Sequence, residues 1–240
     1  MPVKFSLVVP TYNEETNIRE LCRKITNVLD ALPIDSEIII VDDNSPDGTW
    51  RAAQDLAKQD KRLKVVRRIS QRGLASAVVC GWAASEGEIL GVIDADLQHP
   101  PEILTKMINK ILNDNEADIV VASRYIAGGG VSKNNFWQTL RSQLAIFLGF
   151  IFAPRIFKSV KDPMSGYFIL RKKVISGKQL RPMGYKILLE VLAIGNYRKV
   201  CEIPYNFAVR QGGETKTDWK QCLFYLLNLI TLRTRQKQYF

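Results

Sequence analysis

Histidine is almost missing from this 240-residue chain and cysteine is sparse, with one His and four Cys. Any Ser-His-Asp or Cys-His nucleophile scheme would therefore have to pass through His99. Its place between Gln98 and Pro100 reads as local support rather than catalysis. Cys22, Cys80, Cys201 and Cys222 are too far apart for a CxxC metal or redox pair and too few for a disulfide scaffold. Reduced thiols in a cytosolic setting are the expectation. No low-complexity run interrupts a composition of 46% hydrophobic and 24% charged residues, which sets aside disordered and fibrous classes. No apolar run reaches the roughly 20 residues needed to cross a bilayer. The start, MPVKFSLVVPTYNEE, lacks the cationic beginning and long apolar stretch of an export signal. The length suits one large domain around a single core.

Acidic residues are scarce in the second half. Residues 1–120 carry 14 Lys and Arg against 19 Asp and Glu, a net of −5, whereas residues 121–240 carry 20 against 5, a net of +15. That asymmetry predicts an anionic partner for the second half. Nucleic acid, a membrane surface and a phosphorylated substrate all fit the sign, as does a solvated basic face that binds nothing.

Short β-branched runs end at Pro10, Asp42, Arg67, Asp94 and Ser123, and their near-continuous apolarity predicts strands buried on both faces. Between the first two, Ile18, Leu21, Cys22, Ile25, Val28, Leu29 and Leu32 recur at helical spacing. Further helices are predicted over about 49–60, 73–85 and 101–113. The order is β-α repeated, which implies a mostly parallel sheet with ligands at the carboxyl ends of its strands. In the second half, GGG at 128–130 with SKNN reads as a flexible loop. The apolar runs 144–153 and 222–232, each followed by basic residues, are read as core helices or as helices lying in a membrane interface.

The strand ends carry the chemistry. After ILGVI come Asp94, Ala95, Asp96, Leu97 and Gln98; an extended chain would point positions 94, 96 and 98 the same way. Two carboxylates and a carboxamide suit Mg²⁺ or Mn²⁺ bound together with a diphosphate, although a surface turn capping the next helix has similar residues. Pro10, Thr11, Tyr12, Asn13 and Glu14 follow the first strand, and the stretch from Asp42 to Thr49 follows the second, where Asp47 or Thr49 would cap a helix. Arg72 precedes the small-residue helix start GLASA, as a phosphate or ribose contact would require.

Taken together, PTYNE, VDDNSPDGT, RGLASA, DADLQHP, DPMSGY and EIPYNFAVRQGGETK, in this order between about residues 5 and 216, resemble the family 2 glycosyltransferases, and within them the dolichol-phosphate mannose synthases. The resemblance implies an α/β GT-A fold over 1–217, with residues 218–240 as an apolar and basic tail forming an interfacial helix. It also implies a metal-dependent inverting transferase that moves mannose from GDP-mannose to dolichyl or polyprenyl phosphate. By position it matches Pro10, Tyr12, Glu14, Asp42, Asp43, Arg72, Asp94, Ala95, Asp96, Gln98 and Arg124 to nucleotide-sugar binding. It matches Asp96 and Gln98 to the metal, and Arg141, Arg210 and Lys216 to the acceptor phosphate; Asp96, Arg124 and Arg210 are its catalytic candidates. The expected setting is the cytoplasmic face of a membrane, through the surface itself or a small membrane subunit, with no nucleic acid partner. The same machinery with UDP-glucose or with a glycan acceptor is the alternative. A basic nucleic-acid module explains the charge but leaves DADLQ and VDDNSPDGT without a task.

Overall fold

The computed structural model describes residues 4–132, 148–181, 184–208, 227 and 229–231. Its elements run β1 (Phe5–Thr11), α1 (Glu15–Asp30), β2 (Ser36–Asp42), α2 (Thr49–Gln59), β3 (Leu63–Arg67), α3 (Leu74–Ala83), β4 (Ile89–Val92), α4 (Ile103–Asn113), β5 (Ala117–Ser123) and β6 (Gly130–Val131). They continue with α5 (Pro154–Ser159), β7 (Phe168–Arg171), α6 (Ile187–Ile194), β8 (Lys199–Pro204) and β9 (Asn206–Phe207). Seven strands form one sheet in the order β3-β2-β1-β4-β7-β5-β8. All neighbours are parallel except β7, which runs antiparallel between β4 and β5.

Alternation along the strands divides the core into two layers. Phe5, Leu7, Val9, Ile38 and Ile40 pack beneath α1, α2 and α4, while Val8, Ile39 and Val41 face α3, α5 and α6. This is why β1 and β2 read as unbroken apolar runs: both faces are covered. Helix α1 buries Ile18, Leu21, Cys22, Ile25 and Leu29, the stripe its spacing requires. Its start is tied to that of α2 through Asp47, whose carboxylate accepts from the Glu15 amide at 3.1 Å and the Thr49 amide at 2.9 Å. Burial opposes the Asp47 charge, but the hydrogen bonds from Thr49 and Glu15 outweigh it and hold the carboxyl below its ordinary range.

Three sequence expectations need correction. β3 is an edge strand with Lys64 and Arg67 exposed, so it is not buried on both faces. β4 stops at Val92 rather than Asp94, and the chain bends over residues 95–97. The glycine-rich stretch is partly strand: Gly130 and Val131 pair in parallel with Asn206 and Phe207. In addition, β7 and β8 complete the sheet from segments whose pattern was not read as strand. Within the run 144–153 the described residues 148–152 are helical. They leave Phe150 and Ile151 exposed while Ala153 is buried.

Candidate active site

The register aligns Thr11 with Asp42 and Val8 with Val92. The ends of β2, β1 and β4 therefore stand side by side, about two strand spacings across, or roughly 10 Å. Each exit turns through a left-handed residue: Asn13 (φ 57°), Asn44 (φ 56°) and Leu97 (φ 59°). Asparagine tolerates that conformation, whereas for leucine it is strained. Such strain persists where the surroundings over-determine it. The bend at Leu97 also means that residues 94–98 are not extended. Asp94, Asp96 and Gln98 are therefore carried on a turn and not on one face of a strand.

Loops one and two brace each other. Asp42, fully buried, accepts from Thr11 Oγ1 at 2.9 Å, the Ser45 amide at 2.8 Å and Ser45 Oγ at 2.6 Å. Asp43 accepts from Arg68 Nε and the Gly73 amide, both at 2.7 Å, which fixes the loop before α3. Both carboxylates thus hold the loops on which Tyr12 and Arg72 are carried. The exposed Arg72 guanidinium lies 4.8 Å above the Tyr12 ring, a cation-π stack at the rim. Glu14 is buried and accepts from Asn17 Nδ2 at 2.8 Å, and its amide donates to Thr49 Oγ1. Pro10 is buried at the end of β1.

The loop 162–167 before β7 organises the other side. Asp162 is fully buried and grips Arg124 through Nε and Nη2, both at 2.8 Å, and through the Arg124 amide at 3.0 Å. Burial opposes the arginine charge, but the Asp162 pair outweighs it, so the guanidinium is held protonated. Lys186 Nζ donates to the Met164 carbonyl at 3.0 Å. Burial, with nearby Arg124 adding to it, pushes this amine down to about 8, while Asp94 and Asp162 pull the other way. Gly166 lies against Asp94 so closely that a Cβ there would be 2.3 Å from Oδ2. His99 is buried, with Nε2 3.5 Å from Asp94 Oδ2 and Nδ1 3.0 Å from Tyr205 Oη. Asp94 Oδ1 is itself buried and accepts no hydrogen bond among the described residues. Gln98 is stitched to Ala208: its Nε2 donates to the Ala208 carbonyl, and the Ala208 amide donates to the Gln98 carbonyl, both at 2.9 Å.

The structure thus brings Asp94, Ala95, Asp96, Gln98 and Arg124 to one edge, with Pro10, Tyr12, Glu14, Asp42, Asp43 and Arg72 on the adjoining loops. Arg141, Arg210 and Lys216 lie outside the described residues. Sequence reasoning assigned no site role to Asp162, Gly166 or Lys186. The motif DPMSGY was visible, but nothing local shows that the chain returns it, or Lys186, to the same edge.

A family model described as glycosyl transferase family 2 matches residues 6–177. The chain belongs to glycosyl transferase family 2. Relatives named dolichol-phosphate mannosyltransferase are 45% identical in Pyrococcus furiosus, 33% in Saccharomyces cerevisiae and 33% in Mycosarcoma maydis, over 96, 97 and 95% of this family 2 chain. The chain spans 64% of the Pyrococcus relative's length, and 88 and 78% of the other two. The fold is also that of glucosyl-3-phosphoglycerate synthase from Mycobacterium tuberculosis, crystallised with Mn²⁺, UDP-glucose and phosphoglyceric acid. The TM-score is 0.73 at 19% identity, over 96% of this chain and 79% of that one.

Proposed function

We propose that this family 2 chain transfers mannose from GDP-mannose to dolichyl or another polyprenyl phosphate, inverting the anomeric carbon, at the cytoplasmic face of a membrane. The observation that carries this reading is the 33–45% identity, over at least 95% of the chain, to relatives named for mannosyl transfer to dolichol phosphate. An acceptor phosphate oxygen attacks the anomeric carbon, the bond from that carbon to GDP breaks, and the electron pair leaves with the diphosphate. No general base is required, because a phosphate monoester with a second pKa near 6 is already a dianion at neutral pH. The protein must instead hold two sets of anionic oxygens together. Lys186 and Arg124 are desolvated cations fixed in place before substrate arrives, which is the condition under which charge stabilisation is strongest.

A divalent cation fits the donor set at the DADLQ turn. Asp96 supplies a carboxylate. Gln98, whose amide nitrogen is turned to Ala208, keeps its carboxamide oxygen for a cation. Among the described residues no three His, Cys, Asp or Glu side chains form a metal cage. Mg²⁺ or Mn²⁺ held by one or two carboxylates, with water and phosphate as the remaining ligands, does not need one. Asp96 and Gln98 would hold the ion, which would neutralise charge on the departing diphosphate.

Among the described residues no helix is long and apolar enough to cross a membrane. A peripheral contact is supported by Phe150, Ile151, Leu227 and Ile230, which are 43–48% exposed. The decisive experiment offers purified protein GDP-mannose or UDP-glucose with a short polyprenyl phosphate and Mg²⁺ or Mn²⁺. Mannosyl phospholipid formed from GDP-mannose, and lost on chelation, is expected. Transfer from UDP-glucose alone would overturn the mannose assignment.

A further inference from the structure

His99 is the residue that the reaction leaves unexplained. Its ring is 3% exposed and sits in an aromatic box, 5.4 Å from Tyr167, 5.5 Å from Tyr205 and 5.1 Å from Phe207 between ring centres. Packing accounts for the ring but not for its two nitrogens, each of which faces a particular atom. Tyr205 Oη stands 3.0 Å from Nδ1. Burial pushes the Tyr205 phenol up, well clear of neutral pH, so that its hydroxyl keeps its proton and can donate. A neutral imidazole that accepts at Nδ1 carries its hydrogen on Nε2. Nε2 is the nitrogen that faces Asp94 Oδ2 at 3.5 Å.

The other side of the same carboxylate is closed by the Gly166 backbone. Oδ2 is thus held between ring and loop, while Oδ1 is left buried and without a hydrogen bond among the described residues. A desolvated carboxylate oxygen without a hydrogen bond is costly, and a ligand hydroxyl or an ordered water would offset that cost. Tyr205 also belongs to the segment between β8 and β9, beside the Gln98–Ala208 pairing. One clasp therefore joins the DADLQ turn to the segment from Tyr205 to Ala208.

We propose that His99 is a positioning residue: oriented by Tyr205, it holds Asp94 by one oxygen so that the other meets a hydroxyl of the sugar nucleotide. This rests on the transfer reaction proposed above only for its assay. The test compares His99→Gln, which can place an amide N–H near the Nε2 position, with His99→Phe, which fills the aromatic box without a donor. The full chain is assayed with whichever nucleotide sugar the wild type turns over. Positioning predicts that kcat/KM falls about 10- to 100-fold in H99F, the usual range for outer partners of a site. Most of that is regained in H99Q, with Tyr205→Phe intermediate. Combining H99F with Asp94→Asn should then cost little more than Asp94→Asn alone, because both remove one interaction. Phe outperforming Gln, with thermal stability following the same order, would make His99 a packing residue and overturn the proposal; so would additive losses in the double variant. A wild type inactive with every nucleotide sugar would instead defeat the transfer reading, and direct GDP-mannose binding by H99F, H99Q and wild type would still decide the positioning: equal affinities would refute it.

Discussion

A methyl group at position 166 would stand 2.3 Å from Asp94 Oδ2, so the Asp94 side chain is what has to move. Gly166→Ala should therefore displace Asp94 by about an ångström and lower kcat/KM about 100-fold, the scale of loss such a misplacement brings. Kinetics and thermal unfolding measured together check this: activity is lost with little change in melting temperature. Lys186 makes a separate prediction. With its amine pushed down to about 8, the free enzyme loses that charge as pH rises through about 8, and kcat/KM should fall in the same interval. Lys186→Arg should keep a cation there and flatten the alkaline limb, because guanidinium does not deprotonate in that range. The stability consequence has the opposite direction. The folded state holds the proton less tightly than the unfolded chain, whose lysine titrates near the ordinary value of 10.5. The cost of burying the ammonium is thus present below about pH 8 and is relieved between about 8 and 10.5. Urea titrations of wild type and Lys186→Met across that interval should show this rise only in the wild type.

Elements set these residues in place by where they stop. The ends of β1, β2, β4, β5 and β8 fall on one edge because these strands are parallel, and antiparallel β7 brings its preceding loop to the same edge. The Arg124–Asp162 pair joins the end of β5 to that loop across 38 residues. Removing one member of a buried pair leaves the other charge without compensation, so Asp162→Asn should cost about 3–5 kcal/mol. Chemical denaturation would measure it. The pattern that predicts β1, β2, β4 and β5, along with α1 to α4, is legible because each strand is apolar on both faces and each helix is amphipathic. β8, KVCEIP, is only partly buried and carries no such run. For the same reason the glycine-rich stretch gave no warning of the β6–β9 pairing.

At the scale of the whole molecule, four of the exposed apolar residues belong to residues 148–152 or to the described residues 227 and 229–231, and both groups contribute to one core layer. Leu148, Phe152 and fully buried Leu229 pack into the layer of α3, α5 and α6, while Phe150, Ile151, Leu227 and Ile230 face outward. The described part of the C-terminal stretch is thus anchored in the domain by one side chain and leaves two apolar neighbours outside. If that face meets lipid, the double variant Phe150→Ser and Ile151→Ser should float with anionic vesicles at least tenfold less well, since burying each such side chain is worth about 1.5–3 kcal/mol. Unchanged flotation, with Leu227→Ser and Ile230→Ser equally silent, would remove these residues from any membrane contact.

Periodicity and strand-end composition by themselves determined the first five sheet strands, the four helices between them and the position of the acidic turns, because each depends on residues close together in the chain. Only the tertiary structure decided what those turns do. It assigned Asp42 and Asp43 to bracing loops and turned the chain at Leu97. It also returned Asp162, Gly166, Lys186 and Tyr205 to Asp94 and Arg124. Such contacts join segments dozens of residues apart, and they are selected by sheet order and by the desolvation of buried charge, neither of which leaves a periodic trace in the sequence.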